Sequence, residues 1–165
     1  NESTSDFFLR IKNSNLKNKK NLCSWDLSLE GASEFSLTYS SDTLVHYFTM
    51  TTYATKKDDN FQYHIPDSTL HLYHWPTAMM MGKYNDVPNK LWHKNDGIVN
   101  TISMLGPANQ KHSIYTPPSI PGIWQNIGNY NMDHVTIIGH KIDTELRKNI
   151  FAMYNEHANL LKDLK

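Results

Sequence analysis

Asp42-Thr43-Leu44-Val45-His46-Tyr47-Phe48-Thr49-Met50 is the stretch that decides the fold. After Asp42 it is rich in β-branched and aromatic residues, and apolar side chains fall on both faces of an extended chain. A strand apolar on both faces needs cover on both, which is the condition of a parallel strand between helices, so an α/β fold is expected. Downstream, Gly122-Ile123-Trp124-Gln125-Asn126-Ile127, bounded by Pro121 and Gly128, reads as a second strand. The last helix is signalled by Leu146, Ile150, Met153, Tyr154, His157, Leu160, Leu161 and Leu164 at helical spacing. Asp143 or Thr144 can cap it, Glu145 suits its first turn, and Lys162 and Lys165 suit its negative end, so it should pack its apolar stripe on a sheet face.

Upstream, Asp26 or Ser28 can cap a short helix that carries Glu30 near its positive end and offers Ala32, Phe35 and Leu37 as apolar contacts. Residues 1–22 are polar, with Phe8, Ile11 and Leu16 spaced to share one helix face, and read as a short helix and linker before a domain spanning 23–165. Between the two strands, Thr55 to Asn60 reads as a polar turn. The stretch after it, broken by Pro66, Pro76 and Pro88, is expected to be irregular, and long loops of that kind are usually functional or disordered.

A chain of 165 residues has the length of one domain, and such a chain can bury about two thirds of its unfolded surface. Sixteen Lys plus Arg balance sixteen Asp plus Glu, so no global field argues for nucleic acid or an anionic membrane. The basic run at Lys17, Lys19 and Lys20 is interleaved with polar residues and reads as solvated linker. The single cysteine, Cys23, excludes an intrachain disulfide and a multi-cysteine metal site. No apolar run is long enough to cross a bilayer.

Two motifs carry chemistry. One is Asn95-Asp96-Gly97-Ile98-Val99-Asn100-Thr101-Ile102-Ser103-Met104; the other runs from Ile123-Trp124 through Gly128 to Asp133-His134-Val135. Taken singly, an Asp-Gly pair is an ordinary turn former and an Asp-His pair is equally ordinary. With Trp25-Asp26-Leu27-Ser28-Leu29-Glu30-Gly31-Ala32, however, they resemble the C-terminal half of the secreted bacterial lipases of the Bacillus, Geobacillus and Staphylococcus type, most tightly from Asn95 to Met104. The resemblance implies the C-terminal part of an α/β-hydrolase fold: the last strands of a mainly parallel sheet and a C-terminal amphipathic helix.

It also implies that Asp96 is the acid and His134 the general base of a Ser-Asp-His triad for ester hydrolysis. A serine nucleophile needs a histidine to take its proton and a carboxylate to fix that histidine's tautomer. In α/β-hydrolases the sequence order is serine, acid, histidine, with acid and histidine on loops after strands. No G-x-S-x-G occurs here; Gly31-Ala32-Ser33 begins one, but Phe35 stands where the closing glycine belongs. The expected serine therefore lies upstream, and the chain alone is expected to be inactive. The implied partners are an acylglycerol or other ester, the N-terminal half of the same lipase, and a lipid-water interface, with no nucleic acid. The implied location is extracellular, any signal peptide lying before Asn1. Cutting such a sheet between strands would leave an unpaired parallel edge and apolar helix faces, so the isolated piece is expected to associate.

The lipases of this group hold calcium through acidic residues two and seven positions after the histidine. Those positions are Thr136 and Lys141 here, and a hydroxyl and an ammonium do not replace two carboxylates. No calcium, and no other cofactor or metal, is expected. His64, His71 and His74 invite a metal reading, but no third carboxylate or thiolate partner is evident in that proline-interrupted stretch. His93 is close to Asp96 in sequence, His46 suits the core or rim, Asp133 is placed to orient its loop, and Met79, Met80 and Met81 suit packing or an acyl pocket. The rival readings are a non-catalytic lipase-like binding or scaffolding protein and a metal-binding module.

Overall fold

Tyr47-Phe48-Thr49-Met50-Thr51-Thr52-Tyr53 forms a strand that hydrogen-bonds in parallel to residues 124–131, which in turn pair in parallel with residues 112–114. The computed structural model describes residues 28–60, 62–140 and 144–164, together with Ser3, Ser5, Asp6, Leu9, Arg10 and Trp25. In chain order the elements are α1 (Leu29–Thr38), β1 (Tyr47–Tyr53), β2 (Thr55–Lys57), β3 (His64–Pro66), α2 (Trp75–Lys83), β4 (His112–Ile114), β5 (Trp124–Asn131) and α3 (Thr144–Lys162). Short 3-10 turns lie at Leu72–His74, Lys90–His93 and Thr101–Leu105. The expectations that rest on Phe8, Ile11, Leu16, the lysine run, Cys23, Asp26, Lys141 and Asp143 lie outside the described residues.

Two compact units divide the chain: residues 1–40 with 107–110, and residues 41–106 with 111–165. In the first, Ser28 caps α1, its Oγ accepting from the Gly31 amide at 3.0 Å. The apolar contacts expected of α1 differ: Phe35 and Leu37 are exposed, while Gly31 and Ser36 are buried. Phe35 instead stacks obliquely with Tyr39, ring centroids 4.8 Å apart.

The second unit is mixed α/β, with β5 between β1 and β4 in an all-parallel three-stranded sheet and β2 and β3 in an antiparallel pair. β1 starts four residues later than the sequence suggests. Asp42 Oδ1 accepts from the Leu44 amide at 2.8 Å, which makes a turn of residues 42–45 and leaves Leu44 exposed. β5 runs on through Gly128, because a bulge that leaves Ile127 unpaired lets Met50 pair with Gly128.

Two further corrections follow β1, one in the expected polar turn and one in the stretch expected to be irregular. Thr55–Lys57 is strand β2 rather than a turn, and Trp75–Lys83 is helix α2. Pro76 starts that helix instead of breaking it, since a proline in the first turn gives up an amide that has no partner anyway. α2 packs closely on β3: a Cβ added at Gly82 would sit 2.1 Å from the His64 carbonyl oxygen. Ala54, Leu70 and Ala78 form the buried apolar cluster beneath it.

In α3 the inward stripe is narrower than expected. Ile150 and Met153 are buried, whereas Tyr154 and Leu161 are exposed. His157 meets Phe48 of β1 edge-on at 5.9 Å, which seats the helix on a face of the sheet. Among the described residues no strand pairs with the outer edge of β1. That edge is nevertheless engaged at Thr52, whose carbonyl accepts from Thr101 Oγ1 at 2.8 Å and whose amide faces Met104 Sδ at 3.3 Å.

Candidate active site

β1 and β5 are parallel, so their carboxyl ends lie side by side, and each leads to one of the two sequence motifs. Tyr53 ends β1, and the Ala54 amide donates to the Asn95 carbonyl at 2.9 Å, which brings the acid motif back to that end of the strand. Asn131 ends β5, three residues before His134.

Asp96 is fully buried, and its carboxylate accepts four hydrogen bonds. Oδ1 accepts from the amides of Ile98 at 3.1 Å and Val99 at 2.8 Å, in the turn that Gly97 permits with φ +97°. Oδ2 accepts from the Thr52 hydroxyl at 2.6 Å and from His134 Nδ1 at 2.9 Å. A second bond, from the His134 amide to the Asp96 carbonyl at 3.3 Å, ties the backbones together. The His134 side chain is 44% exposed against 0% for that of Asp96. With Nδ1–H committed to the carboxylate, the lone pair of a neutral ring resides on Nε2, and among the described residues nothing engages that atom. Chemically the pair is a half-exposed histidine whose ring is oriented, and its tautomer favoured, by a buried carboxylate.

Asp133 is also fully buried, and its carboxylate bonds to other groups. Its Oδ1 accepts from the Thr136 amide at 2.7 Å and its Oδ2 from the His71 amide at 2.9 Å. Burial pushes its carboxyl up, but the donors of Thr136 and His71 outweigh that and hold it below the ordinary aspartate value, with His74 adding a smaller attraction.

The remaining sequence candidates disperse. His71 Nδ1 accepts from the Tyr73 amide at 3.4 Å, and the His71 and His74 rings lie 6.4 Å apart. His64 lies on β3, with Nδ1 3.5 Å from Thr55 Oγ1. Among the described residues no three His, Cys, Asp or Glu side chains converge as a metal site. His93 is buried and reaches the Tyr84 carbonyl at 3.0 Å through Nε2, and its own carbonyl accepts from Asn95 Nδ2 at 2.9 Å. His46 meets Ser119 at 2.7 Å, but that serine's other partner is Gln125 Oε1, where nucleophilic chemistry would want a carboxylate. Met79 and Met81 are half-buried and Met80 is exposed.

A cleft of about 540 Å³ lies off the pair, lined by Tyr53, Lys56, Lys57, His64, Asp67 and Lys94 among others. Burial, aided by the neighbouring His93, Lys94 and Lys57, lowers the His64 pKa, and burial lowers that of Lys94, whose ammonium sits 3.5 Å from the Tyr53 ring centroid.

Sequence reasoning missed Thr52, the hydroxyl that supports Asp96, and Asn95, whose fully buried amide accepts from the Gly97 amide at 2.9 Å and donates to the carbonyls of His93 and Ala78. Asn95 stood inside the acid motif, so it could have been found. Thr52 carried no signal, because its relation to Asp96 spans 44 residues of chain.

The family model described as "Lipase-like, C-terminal domain" matches residues 1–165. "Lipase 1" of Staphylococcus aureus is 32% identical over 148 residues, a match covering 89% of this chain and 21% of that protein. Among solved structures, EstA from Clostridium botulinum aligns with a TM-score of 0.73 at 31% identity, covering 92% of this chain and 38% of that one. The Staphylococcus hyicus lipase aligns with a TM-score of 0.73 at 25% identity, covering 98% and 43%. The chain thus spans about a fifth of the length of the curated relatives it matches and about two fifths of the solved chains.

Proposed function

This chain belongs to the lipase-like C-terminal domain family, and from that premise we propose that Asp96 and His134 are the acid and general base of a serine carboxylic ester hydrolase acting on acylglycerols or related esters. The observation that carries the reading is the 2.9 Å contact between Nδ1 of the half-exposed His134 ring and the buried Asp96 Oδ2. The serine comes from outside this sequence, from the part of a longer polypeptide that completes an α/β-hydrolase fold. Such a protein works outside the cell at a lipid-water interface, as the resemblance to secreted lipases implies.

The serine hydroxyl attacks the ester carbonyl carbon while His134 Nε2 takes its proton, and Asp96 stabilises the imidazolium that forms. Collapse of the tetrahedral adduct expels the alcohol, which takes that proton from His134 and leaves an acyl-serine. Water then attacks the acyl carbon, gives a proton to Nε2, and on collapse the serine regains it as the acid departs.

The calcium position of the resembled lipases does not fit a cation here. Thr136 offers a hydroxyl where a carboxylate would be needed, and both oxygens of the neighbouring Asp133 are occupied by amide donors. No step above passes through a metal.

The test is hydrolysis of a soluble p-nitrophenyl ester by the full polypeptide that carries this domain, together with labelling by a serine-reactive phosphonate. In a related triad, exchanging the acid for its amide lowers kcat about ten-thousandfold. A loss of that order is expected for Asp96→Asn, with the melting temperature little changed, and a comparable loss for His134→Ala. Full turnover in either variant would remove the pair from the chemistry. An unlabelled, inactive wild-type protein would favour a binding or scaffolding role.

A further inference from the structure

The loops that carry Asp96 and His134 meet a common third segment, residues 67–78. On the histidine side, the side-chain amide of Asn131 at the end of β5 meets Thr69 Oγ1 at 2.9 Å. Two residues on, Asp133 Oδ2 accepts from the His71 amide. On the acid side, Thr77 Oγ1 donates to the Gly97 carbonyl at 2.5 Å, and Asn95 Nδ2 donates to the Ala78 carbonyl at 3.2 Å. Packing adds to these bonds: a Cβ on Gly97 would come within 2.7 Å of both His74 Cβ and Leu70 Cδ1, so the turn after Asp96 rests directly on this segment. Leu70 and Ala78, near the two ends of the contact region, are themselves anchored in the buried apolar cluster.

Resting on the functional reading above, we propose that residues 67–78 are a clamp that sets the separation and angle of Asp96 and His134, and that Asp133 is the positioning residue through which the clamp holds His134. The carboxylate is suited to this. It joins two amides from different segments, Thr136 on the histidine loop and His71 on the clamp, and it needs one acceptor oxygen for each. An asparagine keeps the shape but has one acceptor oxygen, so one amide would face an NH₂ group. In a proton-transfer site, a displacement of about 1 Å can cost about a hundredfold in rate.

The experiment uses the full polypeptide and a short soluble ester. Asp133→Asn is expected to lower kcat about ten- to a hundredfold with KM within about twofold, and to cost less than about twofold further when added to His134→Ala, because a residue acting through His134 has nothing left to position. Thr77→Val, at an exposed helix position, is expected to lower kcat severalfold, and Thr77→Ser to restore it by returning the hydroxyl. Wild-type turnover in a folded Asp133→Asn protein, or the same proportional loss in the His134→Ala background, would overturn the clamp. Should Asp133→Asn fail to fold, unchanged turnover in Thr77→Val would do so. If Asp96→Asn and His134→Ala reduce turnover while the clamp variants do not, the clamp alone fails; if neither of those two reduces it, the functional reading fails and the clamp with it.

Discussion

Asp133 and His64 bind protons less readily when folded than when unfolded, for different reasons. Hydrogen-bond donors more than offset burial at Asp133, holding its pKa below the ordinary 3.8, and burial with neighbouring cationic groups holds that of His64 below 6.5. In each case the unfolded chain takes up a proton first as the pH falls, so acidification favours unfolding. His64 contributes as the pH drops from 6.5 towards its lower folded value, and Asp133 as it drops from 3.8 through its own. The melting temperature is therefore expected to decline in two stages, measured calorimetrically from about pH 8 to about pH 3. His64→Gln should flatten the upper stage and Asp133→Asn the lower one. An unchanged slope in either variant would assign that stage to other groups. Neither shift was readable from sequence, because a titration follows what surrounds the group, and Lys94 and His71 reach these two sites only through the fold.

At the scale of elements, the loop after β5 is held by its own backbone chemistry. Asp133 accepts from the Thr136 amide, and the Ile137 amide reaches the Asp133 carbonyl at 3.4 Å, and these two bonds close the turn carrying His134. The expected outcome is that dialysis of the full polypeptide against a calcium chelator leaves both the melting temperature and ester turnover unchanged; a drop in either that added calcium reverses would show that a cation holds this loop. The terminal helix and the two long strands were legible because each carries an unbroken run of one pattern, as in Ile150, Met153 and His157. Helix α2 was not, since its nine residues include Pro76 and its apolar residues are bunched in three consecutive methionines, which is too short and too uniform a run to set a period. Strands β2 and β4 have three residues each, with exposed Lys56, Lys57, His112 and Ser113, and exist only because a neighbouring strand supplies the hydrogen bonds.

Among the described residues, several of the deepest positions are polar while several large apolar side chains face solvent. The largest fully buried side chains among the described residues are Gln125, Asn95, Thr51, Thr55, Thr136, Asp96 and Asp133, all polar. Meanwhile Leu44, Leu72, Tyr73 and Ile114 are each more than 70% exposed. A large apolar side chain moved from water to a packed interior gains about 1.5–3 kcal/mol, so these surfaces favour cover by further polypeptide, consistent with a domain spanning a fifth of its curated relatives. The isolated chain is expected to self-associate, its weight-average mass rising with concentration in sedimentation velocity. A concentration-independent monomer with a cooperative melt would show that the domain is complete without a partner.

The amino-acid order by itself pointed to the α/β class, to β1 as a parallel strand and to the two motifs, because each is carried by neighbours within about ten residues, the range over which periodicity and turn chemistry act. What only the tertiary structure decided is the company those motifs keep: Thr52 beneath Asp96, the His71 amide on Asp133, and Leu70 and His74 against Gly97. Hydrogen bonds and packing act through a few ångströms of space, and the parallel pairing of β1 with β5 folds some 40 to 80 residues of chain into that distance.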